Sequence, residues 1–339
     1  MKTFRIWVPE INKVELAEFD LDEKINNSNE VILKNLFSHI SAGTELACLA
    51  GLESFFPIPN VPGYTAVAEI VEKGSNVPFS VGDVVYTYGP HAAYFKIDIT
   101  DRWHGVCVKV PEGLQHDIAT FTHMAGIAMT AIRVSEIELG DKVAVTGLGA
   151  IGILAGQLAR LQGAMVFGTD PEAFRRDLAL KCGIDIVIDP TATNPVEEIR
   201  RATAGEGVNA LIEASGSSAA LESMLDAVAL NGEIILLGSP RNPYQTNLTG
   251  TLRHFHLLPW NHTLKGALEF TFPTQPIPFV KHSIERNAQI IMNLMKEGKL
   301  HIQPIYTHRL SPSLASTAYE GLRNRKDEFV GVVFDWSQL

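Results

Sequence analysis

The chain has 339 residues, room for two domains of ordinary size, each with its own core. Apolar residues make up 46% and charged residues 19%, which excludes a disordered or fibrous polymer. The formal net charge of −10 argues against nucleic acid or an anionic membrane surface as partner and leaves a small-molecule substrate as the expectation.

Phe4, Ile6 and Val8 alternate with polar neighbours ahead of Pro9, which predicts an N-terminal strand and not a secretory signal; a cytoplasmic address is expected. No apolar run reaches the ~18 residues of a membrane span. Short β patterns follow at 31–37, 66–71, 84–88, 93–97 and 106–110, with turn signals at Gly74-Ser75-Asn76 and Gly82-Asp83, the texture of an all-β barrel or sandwich. Cys48, Cys107 and Cys182 lie far apart without a CxxC and read as small buried hydrophobes. From about residue 124 strands alternate with helices, at 142–146, 165–170, 186–189, 208–214, 233–238 and 263–267. That is the mark of an α/β, doubly wound parallel sheet. His254, His256 and His262 have no carboxylate or cysteine among them and read as loop or interface residues, not a metal site. Beyond Pro273 come a helical pattern (Ile290, Ile291, Leu294, Met295), then Tyr306, a second helix ending near Arg323 and a strand at 330–334. The parts are therefore 1–123, 124–270 and 271–339, the last folding back onto the first.

Gly147-Leu148-Gly149-Ala150-Ile151-Gly152 is a GxGxxG between an apolar strand and a helix whose Ile151, Leu154, Leu158 and Leu161 share a face. Gly147 allows the tight turn, Gly149 lets backbone approach a pyrophosphate, and Gly152 permits close helix packing. The N–H groups opening the helix, at Ala150 and Ile151, would meet the phosphates. The next strand delivers Asp170, placed to accept hydrogen bonds from the ribose hydroxyls and to repel a 2′-phosphate, so NAD(H) is expected over NADP(H). Arg175 and Arg176 could in principle serve NADP(H) but lie at least five residues further on, within a helix start where solvated basic residues are ordinary; Arg175 joins the cofactor-binding set. Gly238, Ser239 and Pro240, after the fifth strand of this region, are expected to close over the nicotinamide ribose. Arg241, His91, Asn242 and Arg286 are expected as polar residues near a hydroxylated substrate.

The order of β domain, nucleotide domain and C-terminal return resembles the medium-chain dehydrogenase/reductase superfamily over essentially the whole chain. The likeness is carried by Val71-Glu72-Lys73-Gly74-Ser75-Asn76-Val77, Val81-Gly82-Asp83-Val84-Val85, Val108-Lys109-Val110-Pro111-Glu112-Gly113-Leu114, Glu213-Ala214-Ser215-Gly216 and Thr263-Leu264-Lys265-Gly266. It implies a GroES-like β-barrel catalytic domain beside a Rossmann domain, adds Ala214 and Ser215 to the cofactor set, and implies a homodimer or homotetramer formed through the outer strand of the nucleotide domain, near residues 234–258. Zinc-dependent members carry a cysteine, a Gly-His-Glu and a third ligand near the start of the nucleotide domain. Here Ser41 stands at the first position, Tyr64 and Thr65 at the histidine and glutamate, and Thr122 or His123 at the third. Serine, tyrosine and threonine do not make a tetrahedral zinc site, so no zinc is expected. Ser41-Ala42-Gly43-Thr44-Glu45 with Val61-Pro62-Gly63-Tyr64 is similar to the branch holding bacteriochlorophyllide a dehydrogenase-like proteins and many sugar or secondary-alcohol dehydrogenases.

Alcohol–ketone chemistry without a metal leaves the hydroxyl proton to side chains. Tyr64, His123 and Glu45 are the acid/base candidates, with Ser41 orienting substrate. Tyr64 would need a nearby cation to act as base, because a free phenol titrates near ~10. The expected function is thus an NAD(H)-dependent, zinc-independent dehydrogenase of a sugar, polyol or similar secondary alcohol. The alternatives are a zinc-free quinone or enoyl reductase and a non-catalytic NAD(H)-binding protein.

Overall fold

A computed structural model describes residues 1–339 and divides into two compact units, residues 1–123 with 272–339 and residues 124–271.

In the first unit, β1 (Lys2–Trp7) and β2 (Glu15–Asp20) form an antiparallel pair. The ten-residue β3 (Glu30–His39) leads into α1 (Ala42–Leu49), followed by β4 (Ala66–Lys73), β5 (Val84–Thr87), β6 (Tyr94–Asp98), β7 (Cys107–Lys109) and the short α2 (His116–Ala119). β3 is the organising strand. It pairs antiparallel with β4 along its length and with β6 through residues 30–34. Val31, Leu33, Ala68, Ile70, Val85 and Phe95 form the buried cluster inside this sheet.

The second unit begins in α3 (Thr122–Val134) and runs β8 (Lys142–Thr146), α4 (Ala150–Leu161), β9 (Met165–Thr169), α5 (Ala173–Lys181), β10 (Ile186–Ile188), α6 (Pro195–Ala202), β11 (Val208–Glu213), α7 (Ser218–Met224), β12 (Val228–Leu236), α8 (Leu248–His256) and β13 (Thr263–Gly266). Its sheet has the order β10-β9-β8-β11-β12-β13, every pairing parallel. Chain order reverses between β8 and β11, and ligands bind beyond the carboxyl ends of strands at such a switch point. Val143, Ala144 and Val145 have no exposed surface, as a strand covered on both faces requires. Two expectations are corrected. His254 and His256 lie on a helix, α8, because the Asn247 side chain caps it by accepting from the Gly250 N–H. The outer strand is β13 and not the region 234–258, since β12 is paired on both sides. Leu161 ends α4 exposed, outside the apolar face read from the sequence.

The chain then returns to the first unit as α9 (Ile284–Lys296), β14 (Tyr306–Leu310), α10 (Ala315–Asn324) and β15 (Gly331–Asp335). β15 pairs antiparallel with the end of β3, matching Val333 with His39 and Phe334 with Ser38, and parallel with β14. Tyr306 thus opens a strand. Tyr319, Leu322, Phe334 and Trp336 pack with Ile40 and Leu49 in a cluster joining the two ends of the sequence.

Candidate active site

The nucleotide half forms at the carboxyl ends of β8, β11 and β12. Gly147 leaves β8 at φ +89°, and a Cβ there would lie 2.8 Å from Ser215 Cα. A Cβ on Gly152 would lie 1.8 Å from the Gly147 carbonyl oxygen, so α4 can start against this loop only with glycine. Gly149, the N-cap of α4, faces nothing within 4 Å and carries no side-chain cap. The open space and the free helix start at Ala150 and Ile151 suit a pyrophosphate. Gly238 completes the floor, since a Cβ there would meet the Gly216 nitrogen at 2.3 Å and the Ala214 backbone at 2.8 Å.

Two buried carboxylates hold these turns. Asp170 is 3% exposed; Oδ2 accepts from Leu148 N–H at 2.8 Å and Oδ1 from Glu172 N–H at 2.8 Å. Each oxygen has capacity for a second donor, such as a ribose hydroxyl. Arg175 Nη1 lies 3.8 Å from Asp170 Oδ2. Arg176 donates to the carbonyls of Asp170 and Pro171 and pairs with Asp189 at 2.7 Å, so it is committed and not simply solvated. Glu213, which the sequence reading treated only as part of a family turn, accepts from Ser215 N–H at 2.8 Å and Gly216 N–H at 3.0 Å. Burial raises its carboxyl pKa against these hydrogen bonds. Ser239 accepts from Arg241 at 3.4 Å through its carbonyl, and Arg241, Asn242 and Pro240 line the exposed chain beyond.

The acid/base candidates lie in the first unit. His39 ends β3, and its N–H donates to the carbonyl of Thr65, the residue just before β4, at 3.3 Å. His123, 4% exposed, stacks on Tyr88 with ring centroids 4.1 Å apart and meets the Tyr64 ring edge-on at 4.9 Å. Its Nδ1 lies 3.1 Å from the Tyr64 carbonyl and 3.0 Å from Thr65 Oγ1. A carbonyl only accepts, so Nδ1 carries the proton and Nε2 is the basic nitrogen of the neutral ring. The Tyr64 phenol bonds to the side chains of Ser41 and Thr44. Burial and the nearby Glu45 charge push it well above the usual phenol range, against those two hydrogen bonds. The cation that would make Tyr64 a base is replaced by a carboxylate, so Tyr64 stays protonated and can only donate or accept a hydrogen bond.

Glu45 is 2% exposed and committed to three donors: Ser41 N–H at 2.7 Å, His91 Nε2 at 3.0 Å and the Tyr319 hydroxyl at 2.5 Å. His91, expected as a polar residue near substrate, is fully buried and has both ring nitrogens engaged by Ser38 and Glu45. Arg286 is exposed on α9 beside His282. Tyr319 escaped the sequence reading because only the return of α10 brings it to Glu45. His39 was equally unmarked; neither ring nitrogen has a partner, and burial, with the charges of His91 and His123, depresses its pKa to about 3.

A β-barrel-type unit joined to a Rossmann unit with a glycine-rich loop and a carboxylate after its second strand defines a nicotinamide-dependent dehydrogenase of the medium-chain class. The comparisons agree. The zinc-binding dehydrogenase family matches residues 150–279. The D-guloside 3-dehydrogenases of Shigella flexneri and Escherichia coli (strain K12) are 38% identical over 256 residues, 74% of this chain and 71% of each relative. L-threonine 3-dehydrogenase of Pyrococcus abyssi is 27% identical over 330 residues, 87% of both chains. Among solved structures, benzyl alcohol dehydrogenase from Acinetobacter calcoaceticus superposes with a TM-score of 0.83 over 99% of both chains at 19% identity, a likeness of fold. The chain belongs to the zinc-binding dehydrogenase family of the medium-chain dehydrogenase/reductase superfamily and is an oxidoreductase of that type. No helix is long and apolar enough to cross a membrane.

Membership implies a nicotinamide cofactor and, in many members, zinc. The nucleotide half fits the first, through the open face of Gly149 and the spare acceptor capacity of Asp170. The donor set does not fit the second. Zinc needs three or four thiolate, imidazole or carboxylate ligands. At the family's ligand positions stand two hydroxyls, a phenol held protonated and one imidazole, His123, a single ligand where three or four are needed.

Proposed function

We propose that the chain is an NAD(H)-dependent dehydrogenase that interconverts a secondary hydroxyl of a sugar or polyol and the corresponding ketone, with proton transfer handled by side chains. The observation that carries the cofactor choice is Asp170: a carboxylate tied to the glycine-rich loop through Leu148 N–H repels a 2′-phosphate and accepts from ribose hydroxyls. Arg175 would neutralise part of that charge without supplying the open basic pocket a 2′-phosphate needs. The sugar assignment draws on the 38% identical D-guloside 3-dehydrogenases.

The bound nicotinamide supplies the hydride acceptor. The chain's residues do the rest. In oxidation the carbinol carbon gives up hydride, and the hydroxyl oxygen gives its proton to His123 Nε2 while Tyr64 donates a hydrogen bond to the developing alkoxide; in reduction His123 returns the proton to that oxygen. Thr65 and the Tyr64 carbonyl hold His123 in the tautomer that presents a basic Nε2. Ser41 orients the substrate oxygen.

The test is a screen of glycosides and polyols with NAD and NADP, following reduced nicotinamide by absorbance. Turnover with a sugar-like alcohol and NAD preferred at least ~10-fold is expected, the preference falling in Asp170→Asn as the ribose acceptor and the full negative charge are lost. Turnover confined to quinones or enones, or cofactor binding without turnover, would overturn the reading.

A further inference from the structure

Glu45 lies in a buried chain whose direction is fixed by what each group can donate. Trp336 Nε1–H can only donate, and Ser38 Oγ accepts from it at 2.9 Å. The Glu45 carboxylate only accepts, so His91 carries a proton on Nε2, 3.0 Å from Glu45 Oε2, and in the neutral ring Nδ1 accepts from the Ser38 hydroxyl 2.8 Å away. The Tyr319 hydroxyl donates to the same oxygen, while Ser41 N–H donates to the other. No member of the chain is more than 6% exposed. Tyr319 and Trp336 belong to the returning segment; Ser38, Glu45 and His91 belong to the first.

The chain touches Tyr64 from two directions. His91 packs on the residue just before it: Gly63 has φ +95°, and a Cβ there would lie 2.6 Å from the imidazole carbons. His91 is in turn held edge-on by Phe334 at 5.2 Å. From the other side, Glu45 fixes the backbone of Ser41, whose hydroxyl bonds to the Tyr64 phenol. We propose that Glu45 and His91 are positioning residues: the buried carboxylate–imidazole pair sets the Gly63–Tyr64 backbone and keeps Tyr64 a hydrogen-bond donor to the substrate oxygen. This rests on the assignment of Tyr64 as that donor. It assigns the returning segment a part in the reaction, because Tyr319 and the Ser38–Trp336 arm are what hold the pair.

The pair can be read at Tyr64 itself, because the backbone that His91 packs on and the Ser41 residue that Glu45 positions both set where the Tyr64 ring stands. The experiment labels the full-length protein with fluorotyrosine and follows, at neutral pH, the 19F resonance that Tyr64→Phe removes. In Glu45→Gln and in Tyr319→Phe that resonance should shift or split, because the ring is no longer held in one position. The second variant keeps the ring and serves if the first does not fold. In the reductive direction kcat should fall in Glu45→Gln while the KM for cofactor holds. A Tyr64 resonance unchanged in folded Glu45→Gln, or unchanged in Tyr319→Phe, would overturn the proposal. Undiminished turnover by Tyr64→Phe would instead overturn the assignment of Tyr64 as donor, leaving the resonance to judge the pair.

Discussion

His39 shows what burial does to a single titratable side chain. It is 1% exposed, its ring lies 4.3 Å from that of Phe121, and neither nitrogen finds a partner. The folded protein therefore resists protonating it, with a pKa near 3 against an ordinary 6.5. A depressed basic group contributes stability above its unfolded pKa and loses it as pH falls toward the folded value. Each unit is worth about 1.4 kcal/mol, so the acid penalty is on the order of 3–5 kcal/mol. His39→Phe should remove it. Denaturant midpoints should show the variant gaining on the parent between pH 6.5 and 3; a constant difference across that range would refute the account. The residues legible in the sequence were those whose role is local. Gly147, Gly149, Gly152 and Asp170 lie within one strand–turn–helix–strand unit, and the structure gathers them around the turn from β8 into α4. Tyr64 and His123 were legible as candidates, but their protonation was not. The neighbour that sets the Tyr64 phenol is Glu45, and the partners that set the His123 tautomer are the carbonyl of Tyr64 and the hydroxyl of Thr65, none of which a linear motif announces.

Among the elements, α9 is tied to β7 by a group that titrates near neutrality. Glu285, in the first turn of α9, accepts from Cys107 N–H at 3.1 Å, and burial lifts its carboxyl to about 7 against that hydrogen bond. The same pairing pushes the Cys107 thiol up to about 12, through burial first and the Glu285 charge second. A raised acid stabilises the fold fully below its unfolded pKa and loses that contribution as pH rises through the folded one. Glu285→Gln should therefore match or trail the parent at pH 4.5 and gain on it by pH 8, by roughly 1–3 kcal/mol, read from urea midpoints. No gain at the higher pH would show that the carboxyl is not strained. Elements with strong local signals, the parallel strands above all, were readable within a residue or two, except that β12 begins at Val228, five residues ahead of the 233 expected. α1 was not, because its identity depends on Ser41 at the cap and on Glu45 reaching back to the Ser41 N–H, a contact that coincides with the family motif and was read only as such. α8 was missed for a related reason: it has no buried residue, so it carries no core periodicity, and its cap at Asn247 is the main local signal.

For the whole molecule, the return of residues 272–339 is what completes the first unit. β15 lies antiparallel on β3, and Tyr319 and Trp336 arrive with it at the Glu45–His91 pair. Those contacts span separations of up to 298 residues, beyond the reach of any spacing argument. The second unit presents Leu248, Leu252, Leu258, Leu264 and Leu268 as exposed apolar residues around α8 and the unpaired outer edge of β13. Such a patch beside an open strand edge suits a second copy of the same chain. Light scattering after size exclusion should give a dimer or tetramer, and Leu264→Lys should shift it toward monomer; a monomeric parent at micromolar concentration would contradict this.

The central claim is that hydride passes to NAD while side chains, not zinc, manage the proton. Its most direct test is the rate of NAD reduction with an accepted sugar or polyol, measured on protein stripped by a strong chelator and verified metal-free. An unchanged rate, falling by about two orders of magnitude in Tyr64→Phe, is the result predicted when a side-chain hydrogen bond stabilises the developing alkoxide without a metal. Loss of turnover on stripping, restored by stoichiometric zinc, would contradict it.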